Sequence, residues 1–300
     1  MTDQSVFNYT AKIIVELKQQ NRIGNARSYE NCLREMKVFR NKRDLSFNEL
    51  NYSFLEKFET YYLRKGNSLN GLAVYMRTIR AIYNKAIKQS IASLETYPFA
   101  NYTIKSEPTK KRAISMDAIQ KIVALKYEPE NVLFRTRNIF LMSFYLMGAP
   151  YSDLAHLKVS NIIDGRVQYK RQKTGKFYDI KITENLSEII DYYKTNKDKD
   201  DYLLPIIKRD SLDEQYRDIM SQRRLYNKQL RRIAKDAEID EHLTSYVSRH
   251  SFASIANNMA VPVTAISEML GHQKLTTTQT YLASLNKEII DDYNAKIIGG

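Results

Sequence analysis

R-H-S-F-A-S at 249–254, L-G-H at 270–272 and T-T-Q-T-Y at 277–281 follow one another closely near the end of a 300-residue chain. Each lies on or beside a short stretch of helical periodicity, at 245–258, 263–270 and 276–283. His272 follows Gly271 at a helix end, and Tyr281 stands nine residues further on. Arg249 and His250 are neighbours on one helix and point about 100° apart, so both can hardly face one partner. At most one of the two therefore serves a given partner.

Upstream the pattern changes. Segments around Asn161–Ile163, Arg166–Arg171 and Phe177–Ile182 are short and rich in β-formers, separated by Asp164-Gly165 and Lys173-Thr174-Gly175-Lys176, both hairpin turn signals. A small three-stranded antiparallel sheet is expected inside an otherwise helical domain, with helices at 115–126, 130–147, 184–195, 213–237 and near 286–297. The first hundred residues read as four amphipathic helices carrying Val6-Tyr9-Ile13-Leu17, Tyr29-Leu33-Met36-Phe39, Phe54-Phe58-Tyr61-Tyr62 and Leu72-Tyr75-Ile79-Ile82-Ala86. Gly24-Asn25 and Gly66-Asn67 are expected to form turns, with Asn51 and Ser68 as N-caps. Residues 103–113 (TIKSEPTKKRA) are polar and basic and lack apolar periodicity. The expected organisation is a helical domain at 1–102, a basic linker at 103–113 and an α-rich domain at 114–300, a mainly α fold with one small sheet.

Composition narrows the partners. The net charge of +13 divides between both parts: residues 1–105 hold 17 Lys/Arg against 9 Asp/Glu, and the remainder 30 against 25. Such a chain attracts polyanions, nucleic acid first among them. The single Cys32 cannot form an internal disulfide, and the 4 histidines make no recognisable metal set. No apolar run is long enough for a membrane span, and the start, MTDQSVFNYT, lacks the layout of a signal peptide. A cytoplasmic protein with no metal and no cofactor is expected, nucleoid-associated when bound to DNA.

The three C-terminal strings resemble the last motif boxes of the tyrosine recombinase (phage integrase) family. In that family an Arg-His-x-Phe-Ala segment opens a helix, Leu-Gly-His follows about twenty residues later, and the nucleophilic Tyr comes nine residues after that His. Further upstream, Q-K-T-G-K at 172–176 resembles the hairpin carrying the family's catalytic Lys, and G-A-P-Y-S-D-L at 148–154 its first box. R-T-I-R-A-I-Y-N-K-A-I-K at 77–88 and Y-P-F at 97–99 are similar to the core-binding domain of integrases from bacterial mobile elements.

The resemblance implies a chemistry. Breaking DNA without a metal needs a nucleophile, donors for the charge on a pentavalent phosphorus, and an acid for the leaving 5′-oxygen. Tyr281 would attack the phosphodiester, Arg249 would hold the non-bridging oxygens with its planar guanidinium, and His272 would hydrogen-bond the phosphate. Lys173, at the hairpin tip, would act as general acid, with Lys170, Lys176 and Arg171 as competitors for that role.

Two positions depart from the family. The Arg of the first box falls on Pro150, and the His of His-x-x-Arg falls on Tyr246, in Y-V-S-R. A phenol can hydrogen-bond a phosphate but is a poor general base near neutral pH. Arg135 or Arg137, on the preceding helix, is expected as a substitute for the first Arg, the alternative for either being a salt bridge to Asp153 or Glu128. Asp153 takes the family's acidic position and is read as orienting its neighbours.

For the partners, the resemblance implies double-stranded DNA with inverted-repeat core sites, a homo-tetramer passing through a Holliday junction, and an accessory DNA-bending protein. Helix 69–89 would present Asn70, Arg77, Arg80 and Lys85 to the duplex, and Lys110, Lys111 and Arg112 of the linker would lie along a phosphate backbone. The segment at 286–297 has an apolar face fit for a neighbouring subunit or for its own core. The stretch ahead of the first helix is expected to be too short for the arm-site domain that many family members carry, so the protein is read as one of the short kind or as a truncated piece of a longer one. Two other readings stay open: a DNA-binding protein that keeps the fold but cleaves weakly for want of the first Arg, and a type IB topoisomerase-like nicking enzyme.

Overall fold

The computed structural model describes residues 4–107, 112–274, 276, 278, 279, 295 and 298. The chain forms two compact units, Met1–Lys110 and Lys111–Gly300.

The first unit contains α1 (Val6–Gln19), α2 (Ile23–Phe39), α3 (Tyr52–Arg64) and α4 (Leu69–Lys88). The side chains of Ser5, Asn51 and Ser68 accept from the backbone N–H three residues on, at the starts of α1, α3 and α4. Each satisfies one of the donors that a helix start leaves unpaired. The four helices close on Ile13, Met36, Phe58, Met76, Ile79 and Tyr83, all buried. The expected turn at Gly24-Asn25 is displaced. Both residues lie in the first turn of α2, and the chain reverses earlier through Asn21 at φ +57°, a conformation that Asn tolerates through local hydrogen bonding. Beyond α4 the chain packs back on the same core through Tyr97, Phe99, Tyr102 and Ile104.

The second unit is built around α6 (Val132–Tyr145), which buries nine residues, including Asn138, Ile139, Phe140, Leu141 and Met142. Around it lie α5 (Met116–Ala124), α8 (Glu184–Lys194), α9 (Leu212–Asp236) and α10 (Val247–Asn258). The short α7 (Tyr151–Ala155) follows α6, and α11 (Val263–Leu270) packs on α10. Strands β1 (Ile162–Ile163), β2 (Arg166–Lys170) and β3 (Phe177–Lys181) form an antiparallel sheet in that order, with Val167 opposite Ile180 and Tyr169 opposite Tyr178. Asp164 and Gly165, at φ +47° and +70°, supply the two left-handed residues of a tight hairpin turn. The helix expected at 286–297 lies outside the described residues apart from the single position 295.

Candidate active site

Arg249 lies in the first turn of α10 and is only 4% exposed. A guanidinium this buried needs several acceptors, because its charge cannot be neutralised by losing a proton. Its Nη1 donates to the Gly148 carbonyl at 2.9 Å, and its Nη2 to the Leu270 carbonyl at 2.5 Å, with His272 Nε2 at 3.2 Å. The first acceptor exists because α6 ends in two successive left-handed residues, Met147 at φ +55° and Gly148 at φ +72°. A Cβ on Gly148 would stand 2.8 Å from the Arg249 Cα, so only glycine lets the loop approach. Ser143 stitches the loop to α10: its Oγ donates to the Ala149 carbonyl at 2.7 Å and lies 2.6 Å from Ser248 Oγ.

The L-G-H turn forms the opposite wall. Gly271 caps α11 at φ +65°, and a Cβ there would stand 2.2 Å from the Tyr178 hydroxyl of β3, which donates to the Met269 carbonyl at 3.1 Å. The turn thus brings His272 beside Arg249. Arg is only a donor, so His272 Nε2 accepts from Arg249 and Nδ1 carries the ring proton, which it donates to the buried Thr278 Oγ1 at 2.8 Å. Burial, then Arg249, then Arg171 push the imidazole down to about 4, so His272 is neutral near pH 7.

The β2–β3 loop supplies the third wall. Arg171, 7% exposed, donates through Nη1 to the carbonyls of Leu270 at 2.6 Å and Gly271 at 3.2 Å. Its Nε lies 3.4 Å from Oδ2 of Asp153, whose Oδ1 accepts from the Gln172 N–H at 3.2 Å. Burial raises the Asp153 carboxyl, opposed by Arg171 and by that N–H. Of the hairpin lysines, Lys176 is committed to α11, 2.5 Å from the Glu268 carboxylate and donating to its carbonyl at 2.8 Å. Lys170 and Lys173 are exposed, Lys173 in the loop itself.

The other expected residues are distributed differently. Tyr246 is 49% exposed at the start of α10, its ring 5.8 Å from that of His250. Arg137 donates to the Leu125 carbonyl and to Asn138 Oδ1, with its guanidinium 5.5 Å from the Phe134 ring. Arg135 lines a small cavity with Tyr151, Tyr226 and Gln229. Arg137 is thus held by Leu125 and Asn138, and Asp153, the alternative partner expected for either arginine, pairs with Arg171. Arg112 donates to His242 Nδ1 at 3.0 Å. In the first unit Arg77, Arg80 and Lys85 are exposed on α4, whereas Asn70 is occupied: its side-chain amide donates to the Glu107 carbonyl and its Oδ1 accepts from the Glu107 N–H, at 2.9 and 3.0 Å. Tyr281, Lys110 and Lys111 lie outside the described residues.

Sequence reading weighed Arg171 only as a rival general acid. The signal for its burial was present. Val167 and Tyr169 face inward on β2, and alternation along a strand puts residue 171 on the same face, where an Arg is out of place unless it has a task. Among the described residues no group of His, Cys, Asp and Glu could hold a metal ion, and no helix is long and apolar enough to cross a membrane.

Comparison with known proteins agrees with this architecture. Residues 5–104 match the phage integrase SAM-like domain, and residues 113–288 match the phage integrase family. The chain is 24% identical to tyrosine recombinase XerC of Thermodesulfovibrio yellowstonii over 93% of its own length and 92% of the relative's. Its fold is similar to that of the Tn1549 transposon integrase in complex with transposon right end DNA, with a TM-score of 0.66 at 14% identity, covering 99% and 100% of the two chains. It is also similar to a lambda integrase tetramer bound to a Holliday junction, with a TM-score of 0.60 at 17% identity, covering 93% of this chain and 78% of that one.

Proposed function

The chain belongs to the phage integrase family of tyrosine recombinases, enzymes that break and rejoin DNA, and we propose that it acts on duplex DNA through a 3′-phosphotyrosyl intermediate at Tyr281. The supporting observation is the buried Arg249, held by Gly148 and Leu270 beside a neutral His272. Such donors are fixed before substrate arrives and need no reorganisation when charge develops on phosphorus. Arg249 binds the non-bridging oxygens. His272 keeps its proton on Nδ1, donated to Thr278, and stays a neutral neighbour of Arg249.

The Tyr281 oxygen forms a bond to phosphorus as its phenolic proton passes to a non-bridging phosphate oxygen, the bond from phosphorus to the 5′-oxygen breaks, and Lys173 gives that leaving oxygen its proton. The phosphotyrosyl ester conserves the bond energy, so the reverse attack by a 5′-hydroxyl reseals the strand without ATP. The exposed Arg77, Arg80 and Lys85 of α4 and the linker residues Lys110, Lys111 and Arg112 contact phosphates of an inverted-repeat core site. Four copies act together, as in the lambda integrase tetramer bound to a Holliday junction, aided by a DNA-bending protein, to integrate, excise or invert a DNA element in the cytoplasm.

The test is covalent trapping on a nicked duplex bearing a site recovered by selecting random duplexes with the protein itself. The wild type is expected to accumulate a protein–DNA adduct and Tyr281→Phe to bind without forming one. An adduct at wild-type level in the variant overturns the nucleophile assignment. A wild type that binds its site and never forms an adduct is a DNA-binding protein on a recombinase fold.

A further inference from the structure

We infer that Arg171 is the second phosphate-binding guanidinium of this active site, replacing from the β2–β3 hairpin the arginine that the first box lacks at Pro150. The inference rests on the recombinase reading above and adds a residue to it.

Pro150 has no side-chain donor and serves as the cap residue before α7. Arg171 Nη1 and Arg249 Nη2 both reach the Leu270 carbonyl oxygen, so the two nitrogens are no further apart than those two hydrogen bonds together. The acceptors matter as much as the proximity. Carbonyls orient a guanidinium without cancelling its charge, so both cations keep their attraction for an anion. Asp153 is the one carboxylate paired with Arg171 among the described residues. It faces Nε at 3.4 Å, leaving the Nη edge turned toward the L-G-H turn and Arg249.

Asp153 and the Gln172 N–H then act as positioning groups that fix the base of the hairpin. The same loop carries Lys173 two residues later, so hairpin placement sets a phosphate ligand and the proposed general acid together. The geometry also explains why Gly271 carries no side chain: a Cβ would stand 3.1 Å from Arg171 Nη1 as well as against Tyr178.

A merely structural ion pair makes a different prediction from a phosphate ligand, and the charge of the scissile phosphate separates them. Full-length Arg171→Ala and Arg171→Lys are compared with wild type on the selected nicked duplex, with either a natural phosphate or a neutral methylphosphonate at the cleaved position. On natural phosphate, Arg171→Ala is expected to lower the rate of adduct formation by about 100- to 1,000-fold, the cost of losing one preorganised donor, while DNA affinity stays near wild type. On the methylphosphonate most of that deficit is expected to vanish, because the charge that Arg171 meets has been removed. Arg171→Lys, which keeps the charge and the Asp153 pair but loses the planar fork, is expected to fall between the two. It carries the same comparison if the Ala variant fails to fold.

Equal losses on both substrates, or no loss on natural phosphate, overturn the inference. A wild type that forms no adduct defeats the recombinase reading instead, and Arg171 is then judged by titrating inorganic phosphate against the His272 ring nitrogen signals. Binding weakened at least about tenfold in the variant, one charge-assisted hydrogen bond's worth, supports the role, and unchanged binding overturns it.

Discussion

Arg171 and Arg249 donate to the same acceptor: Nη1 of the first lies 2.6 Å and Nη2 of the second 2.5 Å from the carbonyl oxygen of Leu270. They come from a strand end and a helix start, and the turn that joins them belongs to a third element, α11. Displacing any one of the three shifts both cations.

Gly271→Ala tests that arrangement. The left-handed φ of +65° costs about 1 kcal/mol or more for any other residue, and the new Cβ meets the Tyr178 hydroxyl at 2.2 Å. We expect a loss of about 2–4 kcal/mol in denaturant unfolding, since steric strain adds to the backbone cost. Adding Tyr178→Phe removes the clashing oxygen, so the double variant should be more stable than the sum of the singles implies. Strict additivity would show that the contact is not the source of the cost.

His272 sets a pH dependence with a definite sign. The unfolded chain binds its proton near the ordinary value of 6.5, and the folded site does not until about 4. Between those values the unfolded state holds more protons, so stability falls as pH is lowered from 6.5 toward 4 and levels off below. After allowance for partial solvent exposure, the effect is about 1–2 kcal/mol. His272→Gln should flatten that part of the profile, and Arg171→Ala should raise the titration point read by NMR.

Lys173 and Lys176 are three residues apart and should behave oppositely. Lys173→Ala is expected to slow cleavage by about 100-fold or more, as for loss of a general acid. A bridging 5′-sulfur, which leaves without a proton, should restore the rate. Lys176→Ala breaks the Glu268 contacts at α11 and should cost under about 1 kcal/mol of stability, with no sulfur rescue. Rescue of both lysines, or of neither, would remove Lys173 from the acid role.

On α4, Ala at Arg77, Arg80 or Lys85 should each lower the slope of log affinity against log salt by about one, as for one lost phosphate contact. Asn70→Ala should leave the slope alone and destabilise the first unit by about 1 kcal/mol, because its amide bonds the Glu107 backbone. A slope change for Asn70 equal to that for Arg77 would return it to the DNA-contacting set.

How much was legible beforehand differs by element. Helix faces and strand alternation are local properties, so α1 to α6, α8 to α11 and the three strands fall on the segments whose periodicity marks them, whereas the five-residue α7 is too short to show a period and is not among the expected helices. The misplaced first turn shows the limit: Gly24 and Asn21 both tolerate turning, and packing of α2 decided between them. Chain proximity to the first box points to Arg135 and Arg137, whereas the contact of Arg171 with Leu270 spans 99 residues and has no local signature.

The sequence alone determined the helical periodicity, the hairpin turns, and the spacing of Arg249, His272 and Tyr281, because each is carried within a few consecutive residues. Only the tertiary structure decided that Arg171, 78 residues before Arg249, would share its acceptor. Such a contact depends on where β2, α10 and α11 pack against one another, and the cost of burying two like charges is met by Asp153 and by the carbonyls of Gly148, Leu270 and Gly271, which only that packing brings together.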